Sequence, residues 1–188
     1  MQSNHLVAPH DALIVVDVQN DFCPGGALPI PEGDAVVPAI TPWVQAAAEQ
    51  NALLLFSRDF HPLFHPSFVP QGGQWPVHCV QDTWGASFHP ELVIPESGIV
   101  VTKGVRFDQD QNSAFDQTGL NHLLSKKQIS RLWVAGLALD VCVQATVLDA
   151  LDLGYSVLLL AQATRATSIE RGKAALQHVQ QAGAEIIF

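Results

Sequence analysis

Cys142, Lys103 and Asp17 lie far apart in the chain, yet together they hold the parts of a nucleophilic centre. A thiolate attacks, a cation holds its charge, and a carboxylate takes and returns protons. Cys142 follows an apolar run and opens a helical pattern. A thiol at a helix N-terminus has its thiolate stabilised by unpaired backbone N–H groups, and a nearby cation such as Lys103 lowers its pKa further. Most buried cysteines are inert packing, and position is what separates Cys142 from them. Cys23 and Cys79 lack that setting and read as inert.

Asp59, His61, His65 and His78 form a second constellation. In extended chain, residues two apart point the same way, so Asp59 and His61 can share one ion. His65 joins them only if Pro62-Leu63-Phe64 turns helically. Carboxylate plus imidazole suits a divalent ion (zinc, iron or manganese) with positions left open for water or substrate. Phe22 and Trp75 stand beside these groups and could stack a planar ring. His5, His10, His89, His122 and His178 have no comparable surroundings and read as ordinary loop or surface histidines.

The elements that must position these groups are legible from hydrophobic pattern. The runs Ala12–Val16, Ala52–Phe56, Gly98–Val101, Leu132–Ala138, Ser156–Leu160 and Glu185–Phe188 suit strands buried on both faces. Between them Val36–Gln50, Ala114–Lys127, Val143–Leu153 and Ser168–Ala182 read as helices, with Gly154 and Gly183 placed to end the last two. This alternation predicts an α/β fold: three α/β/α layers around a mostly parallel six-stranded sheet. Ligands of such sheets bind beyond the carboxyl ends of the strands. There the sequence has Asp17, Asp59-x-His61, Lys103 and Cys142 after four strands. Any one polar residue merely ends a strand, but four complementary ones converge on a site. From His61 to Pro95 no period holds, and a loop this long inside a compact domain is usually functional.

Composition bounds the partners. The chain has 188 residues, 48% hydrophobic and 14% charged, which excludes disorder and fits one domain over 1–188. A net charge of −9 argues against nucleic acid and anionic membrane as partners. Three cysteines are too few for a secreted disulfide framework. Met1 to His10 lack the pattern of a secretory leader, and the longest apolar run, Leu132–Leu139, is far short of a membrane span. The expected location is the cytoplasm. No heptad seam or interface patch stands out, so no oligomeric partner is read. No Gly-x-Gly-x-x-Gly, phosphate loop or Gly-x-Ser-x-Gly elbow is present, which disfavours nucleotide cofactors and serine hydrolysis.

Taken together, Val16-Asp17-Val18-Gln19-Asn20-Asp21-Phe22, Arg58-Asp59-Phe60-His61-Pro62 with His65, Trp75-Pro76-Val77-His78, Thr102-Lys103-Gly104, Ser113-Ala114-Phe115 and Gly136-Leu137-Ala138-Leu139-Asp140-Val141-Cys142 resemble the nicotinamidases, a branch of the isochorismatase-like cysteine hydrolases. The resemblance runs in order through almost the whole chain. It implies the isochorismatase-like hydrolase fold and a Cys142–Asp17–Lys103 triad. It implies deamidation of nicotinamide, and of pyrazinamide, through a cysteine thioester in pyridine-nucleotide salvage. It further implies an oxyanion hole from the backbone N–H groups of Ala138 and Cys142, with a cis peptide at Leu137–Ala138. The metal would be held by Asp59, His61 and His78, with His65 as a further candidate, and would grip the ring nitrogen. Phe22, Trp75 and Ala138 would contact the ring. The alternative is a sibling hydrolase acting on another amide, carbamoyl or vinyl-ether substrate. Three departures bear on substrate breadth: Leu139 for the usual Thr, Val141 for an aromatic or His, and Asn112 for Tyr. Leu139 and Val141 are expected at the rim of the pocket.

Overall fold

The structure, a computed structural model, describes residues 6–188. His5 and the first half of the leader reading lie outside the described residues. Along the chain come β1 (Asp11–Val16), α1 (Val36–Glu49), β2 (Leu53–Asp59), β3 (Ile99–Lys103), α2 (Leu120–Lys126), β4 (Arg131–Leu137), α3 (Gln144–Asp152), β5 (Ser156–Arg165), α4 (Ile169–Ala182) and β6 (Glu185–Ile187). The strands form one sheet in the order β3-β2-β1-β4-β5-β6, and every neighbouring pair is parallel. The expectation of a mostly parallel sheet is therefore met in its strict form.

Burial explains the apolar runs. All six residues of β1 are buried, because helices cover both faces of the sheet. On one side Val36, Ile40 and Val44 of α1 pack with Leu13, Val15 and Trp133. On the other, Leu124 of α2, Val147 of α3 and Val179 of α4 pack with Ile14, Leu55, Val134 and Leu159. Among the described residues, no helix is long and apolar enough to cross a membrane.

Three helices start later than the pattern predicts. Residues 114–119 form turns rather than the first part of α2, because Gln117 and Gly119 take left-handed backbone angles (φ 53° and 79°) that interrupt a right-handed helix. Ahead of α3, Leu139–Val143 wind as a π-helical turn, with the Val143 N–H reaching back to the Ala138 carbonyl at 3.1 Å. Helix α4 begins at Ile169, one residue later than read, because Ser168 is extended and caps it by accepting from the Arg171 N–H, and Gly183 ends it at φ 116° as expected.

The strand order reverses direction around β1 and β4, and a crevice opens there beyond their carboxyl ends. Gly136 lets the two strands close up. Its φ is 117°, and a Cβ would stand 2.1 Å from the Val16 carbonyl oxygen. The long irregular segment folds back over this crevice. It is tied down by parallel bridges His61↔Val80 and Phe68↔Trp75 and by Gln19↔Phe88. The buried Asp21 carboxylate fixes it further by accepting from the N–H groups of Ala27 (2.9 Å) and Cys79 (2.7 Å).

Candidate active site

The parallel sheet delivers the separated groups to one place. Lys103 ends β3 with no exposed surface. Its Nζ lies 2.8 Å from Asp17 Oδ2 and 2.6 Å from Asp59 Oδ1. It also reaches Cys142 Sγ at 3.5 Å and donates to the Gln111 carbonyl at 3.1 Å. Asp17 leaves β1 at φ 48°, and its Oδ1 accepts from the Ser57 hydroxyl at 2.6 Å. A carboxylate, an ammonium and a thiol thus meet on a buried pocket floor.

Electrostatics here correct one expectation. Burial pushes the Cys142 thiol well above its ordinary pKa despite the pull of Lys103, with Asp17 and Asp59 adding to the rise. Helix position and lysine do not win, so the resting group is the thiol and its proton must be removed during reaction. Burial also raises Asp17 above the usual carboxylate range, against the opposing charge of Lys103. That makes Asp17 a better proton acceptor than an ordinary aspartate. For Lys103, burial is outweighed by Asp17 and Asp59, which hold it protonated.

Asp59, His61 and His78 place one ligand atom each within 4.8 Å of one another. Their hydrogen bonds suit an ion. His61 Nδ1 donates to the Gly104 carbonyl and His78 Nδ1 to the Pro76 carbonyl, both at 2.8 Å, which leaves each Nε2 lone pair free. His61 Nε2 faces Asp59 Oδ2 at 3.8 Å. Burial, offset in part by Asp59, pulls the His61 pKa down to about 4, so the imidazole is neutral as a ligand must be. Gly104 is required beside it: at φ 70°, a Cβ would stand 2.5 Å from the His61 ring. The residues therefore fit a divalent cation. The Pro62–His65 segment does turn, with the His65 N–H donating to the Pro62 carbonyl at 3.1 Å. This sets the His65 ring 4.2 Å from that of His61, and His65 Nε2 is buried without a hydrogen-bond partner.

A cleft opens from these groups, walled by Phe22, Leu28, Ile30, Trp75 and Val141, with Asp59, His78 and Cys142 among its polar lining. Phe22 and Trp75 are thus where a ring could lie, and Ala138 lines the same space. The Leu137–Ala138 peptide is cis. Val141 and Asn112 stand on the wall, and the Asn112 Oδ1 is 4.0 Å from Cys142 Sγ. Leu139 does not: it is buried in the core beneath the sheet, so the expectation that it shapes the rim is corrected. Its residue type answers to packing.

Sequence reasoning passed over several positioning groups. Gln19 is fully buried. Its amide donates to the carbonyls of Asp59 (2.7 Å) and Ala86 (2.8 Å) and accepts from the Asp59 N–H (2.8 Å). Asp21, Ser57 and Gln111 were likewise unassigned, as was Asp110 on the cleft wall. The signal was present in Gln19-Asn20-Asp21, a polar run directly after a wholly buried strand. Cys23 and Cys79 are buried free thiols outside the lining of the cleft, as expected.

The Isochorismatase domain family matches residues 11–187. A nicotinamidase of Escherichia coli (strain K12) is 38% identical over 183 residues, covering 86% of this chain and 86% of that protein. The crystal structure of a pyrazinamidase of Pyrococcus horikoshii in complex with zinc is similar at TM-score 0.92 and 41% identity, over 95% of this chain and 99% of that one. The structure of PnC1 from L. infantum in complex with nicotinate is similar at TM-score 0.89 and 35% identity, over 97% and 94%.

Proposed function

Because this chain belongs to the Isochorismatase domain family, we propose that it is a nicotinamidase, hydrolysing nicotinamide to nicotinate and ammonia and acting on pyrazinamide as well. The relatives named above support the substrate class. The observation that carries the chemistry is Lys103 Nζ within 2.8 Å of Asp17 and 3.5 Å of Cys142 on the floor of an apolar cleft.

Asp17 takes the thiol proton as Cys142 Sγ attacks the carboxamide carbon. The carbonyl oxygen gains the negative charge, and the N–H groups of Ala138 and Cys142 receive it. Asp17 hands its proton to the leaving nitrogen, the C–N bond breaks, and ammonia departs from a Cys142 thioester. Water then gives a proton to Asp17 and attacks the same carbon. The C–S bond breaks, the proton on Asp17 returns to sulfur, and the carboxylic acid leaves and gives its remaining proton to solvent, becoming nicotinate. Lys103 stays charged throughout and holds Asp17 and the thiolate in register. Phe22 and Trp75 clamp the ring, with Ala138 at its edge. Asp59, His61 and His78, with His65, would hold a divalent ion, which supplies a Lewis-acid anchor for the ring nitrogen. Zinc, iron and manganese all suit this donor set.

We place the enzyme in the cytoplasm, where three unpaired buried cysteines stay reduced, and treat residues 1–188 as one domain. The test is ammonia release from nicotinamide before chelation, after chelation, and after metal is restored. Loss followed by recovery is expected. Metal-loaded protein inert on both nicotinamide and pyrazinamide overturns the reading.

A further inference from the structure

We propose that Asp110 is an additional acidic residue of the metal centre, acting on the ion together with His65 from the cleft side. The inference rests on the metal reading above and extends it to a residue that neither the motifs nor the triad includes.

Among the described residues, a second set of ligand atoms lies within 4.8 Å of one another: those of His61, His65 and Asp110. It shares His61 with the Asp59, His61 and His78 set. His61 has only its Nε2 to offer, because Nδ1 is committed to the Gly104 carbonyl. One lone pair serves one ion, so the two sets describe a single centre rather than two. His65 supplies the independent observation. It has no exposed surface, its Nδ1 meets the Ser67 hydroxyl at 2.7 Å and the Ser67 N–H at 3.4 Å, and its Nε2, which has a free lone pair in the tautomer whose Nδ1–H donates to that hydroxyl, is buried without a hydrogen-bond partner. A buried, unpaired ring nitrogen is costly unless something else meets it.

Charge balance gives Asp110 its reason. Asp17, Asp59 and Lys103 are buried and paired, and when ionised they carry one net negative charge. A divalent ion would convert this to one net positive charge in a water-poor pocket, which is unfavourable. The Asp110 carboxylate brings the sum to zero. Asp59 alone is a weak source of neutralisation, since its Oδ1 is already given to Lys103 at 2.6 Å. Asp110 is also held in place: its Oδ1 accepts from the Gln111 N–H at 2.9 Å, while the Gln111 carbonyl accepts from Lys103. The segment that seats the catalytic lysine therefore also seats the extra carboxylate.

The experiment measures metal binding, with no substrate present. Full-length wild type, Asp110→Asn and Asp108→Asn are compared by chelator competition with Zn²⁺, by metal content, and by the visible spectrum with Co²⁺. Asp108 is an exposed carboxylate of the same segment, paired with Arg106, and controls for charge alone. Equal melting temperatures of the metal-free proteins establish that folding is intact. The expected result is one ion per chain throughout, a Kd raised about 10- to 100-fold in Asp110→Asn with an altered Co²⁺ band, and less than about a twofold change in Asp108→Asn. Zn²⁺ affinity of Asp110→Asn within about twofold of wild type overturns the proposal, as does an equal loss in Asp108→Asn or two ions per wild-type chain. Wild type that binds no ion overturns the metal reading itself.

Discussion

At the scale of single residues, the chemistry turns on where one proton rests. Burial keeps Cys142 a thiol and raises Asp17 toward the pH range where it can accept that proton. Replacing Cys142 with Ala should remove turnover by at least about 10⁴-fold while metal content is unchanged, since the Lys103 ammonium already occupies the space where Cys142, Asp17 and Asp59 converge and the ion is left to the Asp59, His61 and His78 set. Asp17→Asn should be comparably inactive, because an amide cannot shuttle the proton. The pH profile follows from the sign of the Asp17 shift. Asp17 works ionised, so kcat/KM should be present at higher pH and fall as pH drops through a value above the ordinary 3.8. That apparent value belongs to the coupled Asp17, Lys103 and Cys142 set. An acid limb at or below the ordinary carboxylate value would contradict this account. Cys142 was legible in the sequence because it follows a buried strand. Its protonation state was not, because burial by distant elements outweighs the local helix and lysine effects that spacing reveals.

The elements act as rulers. Parallel register sets Asp59 against Lys103, and Val16 against Gly136, so residues separated by more than a hundred positions share one crevice. Strand identity and order of chemistry could be read from unbroken apolar runs followed by polar residues. What could not be read were contacts made across the irregular segment, where no period survives. Gln19 shows the difference, because its partners Asp59 and Ala86 belong to a neighbouring strand and a distant loop. Gln19→Leu orphans the Asp59 amide and two carbonyls at about 1–3 kcal/mol each. Partial relaxation leaves a loss of at least ~2 kcal/mol, or a fall in Tm of about 4–8 °C, measured by calorimetry with weakened metal binding alongside. Helix α2 teaches the same lesson in backbone terms, since Gln117 and Gly119 at positive φ interrupt a stretch that the pattern reads as helix. Leu139 does so in packing terms, being a core residue beside catalytic neighbours.

For the whole molecule, the fold builds an apolar shell around a small charged centre, and a bound ion should stabilise that assembly by mass action. At a metal concentration near a hundred times Kd the gain is about 2.7 kcal/mol, or roughly 5–11 °C in Tm for a chain of this size. Thermal unfolding with and without chelator measures it. A Tm indifferent to Zn²⁺ and Mn²⁺ would contradict a native metal site. The acidic net charge contributes little to this chemistry, because a neutral pyridine amide needs no electrostatic steering to reach the cleft. The most direct test of the central claim is to quantify ammonia and nicotinate formed from nicotinamide by metal-loaded wild type and metal-loaded Cys142→Ala. Equal amounts of the two products from wild type, and neither from the folded variant, are predicted. No product from wild type, or undiminished product from Cys142→Ala, would contradict the account.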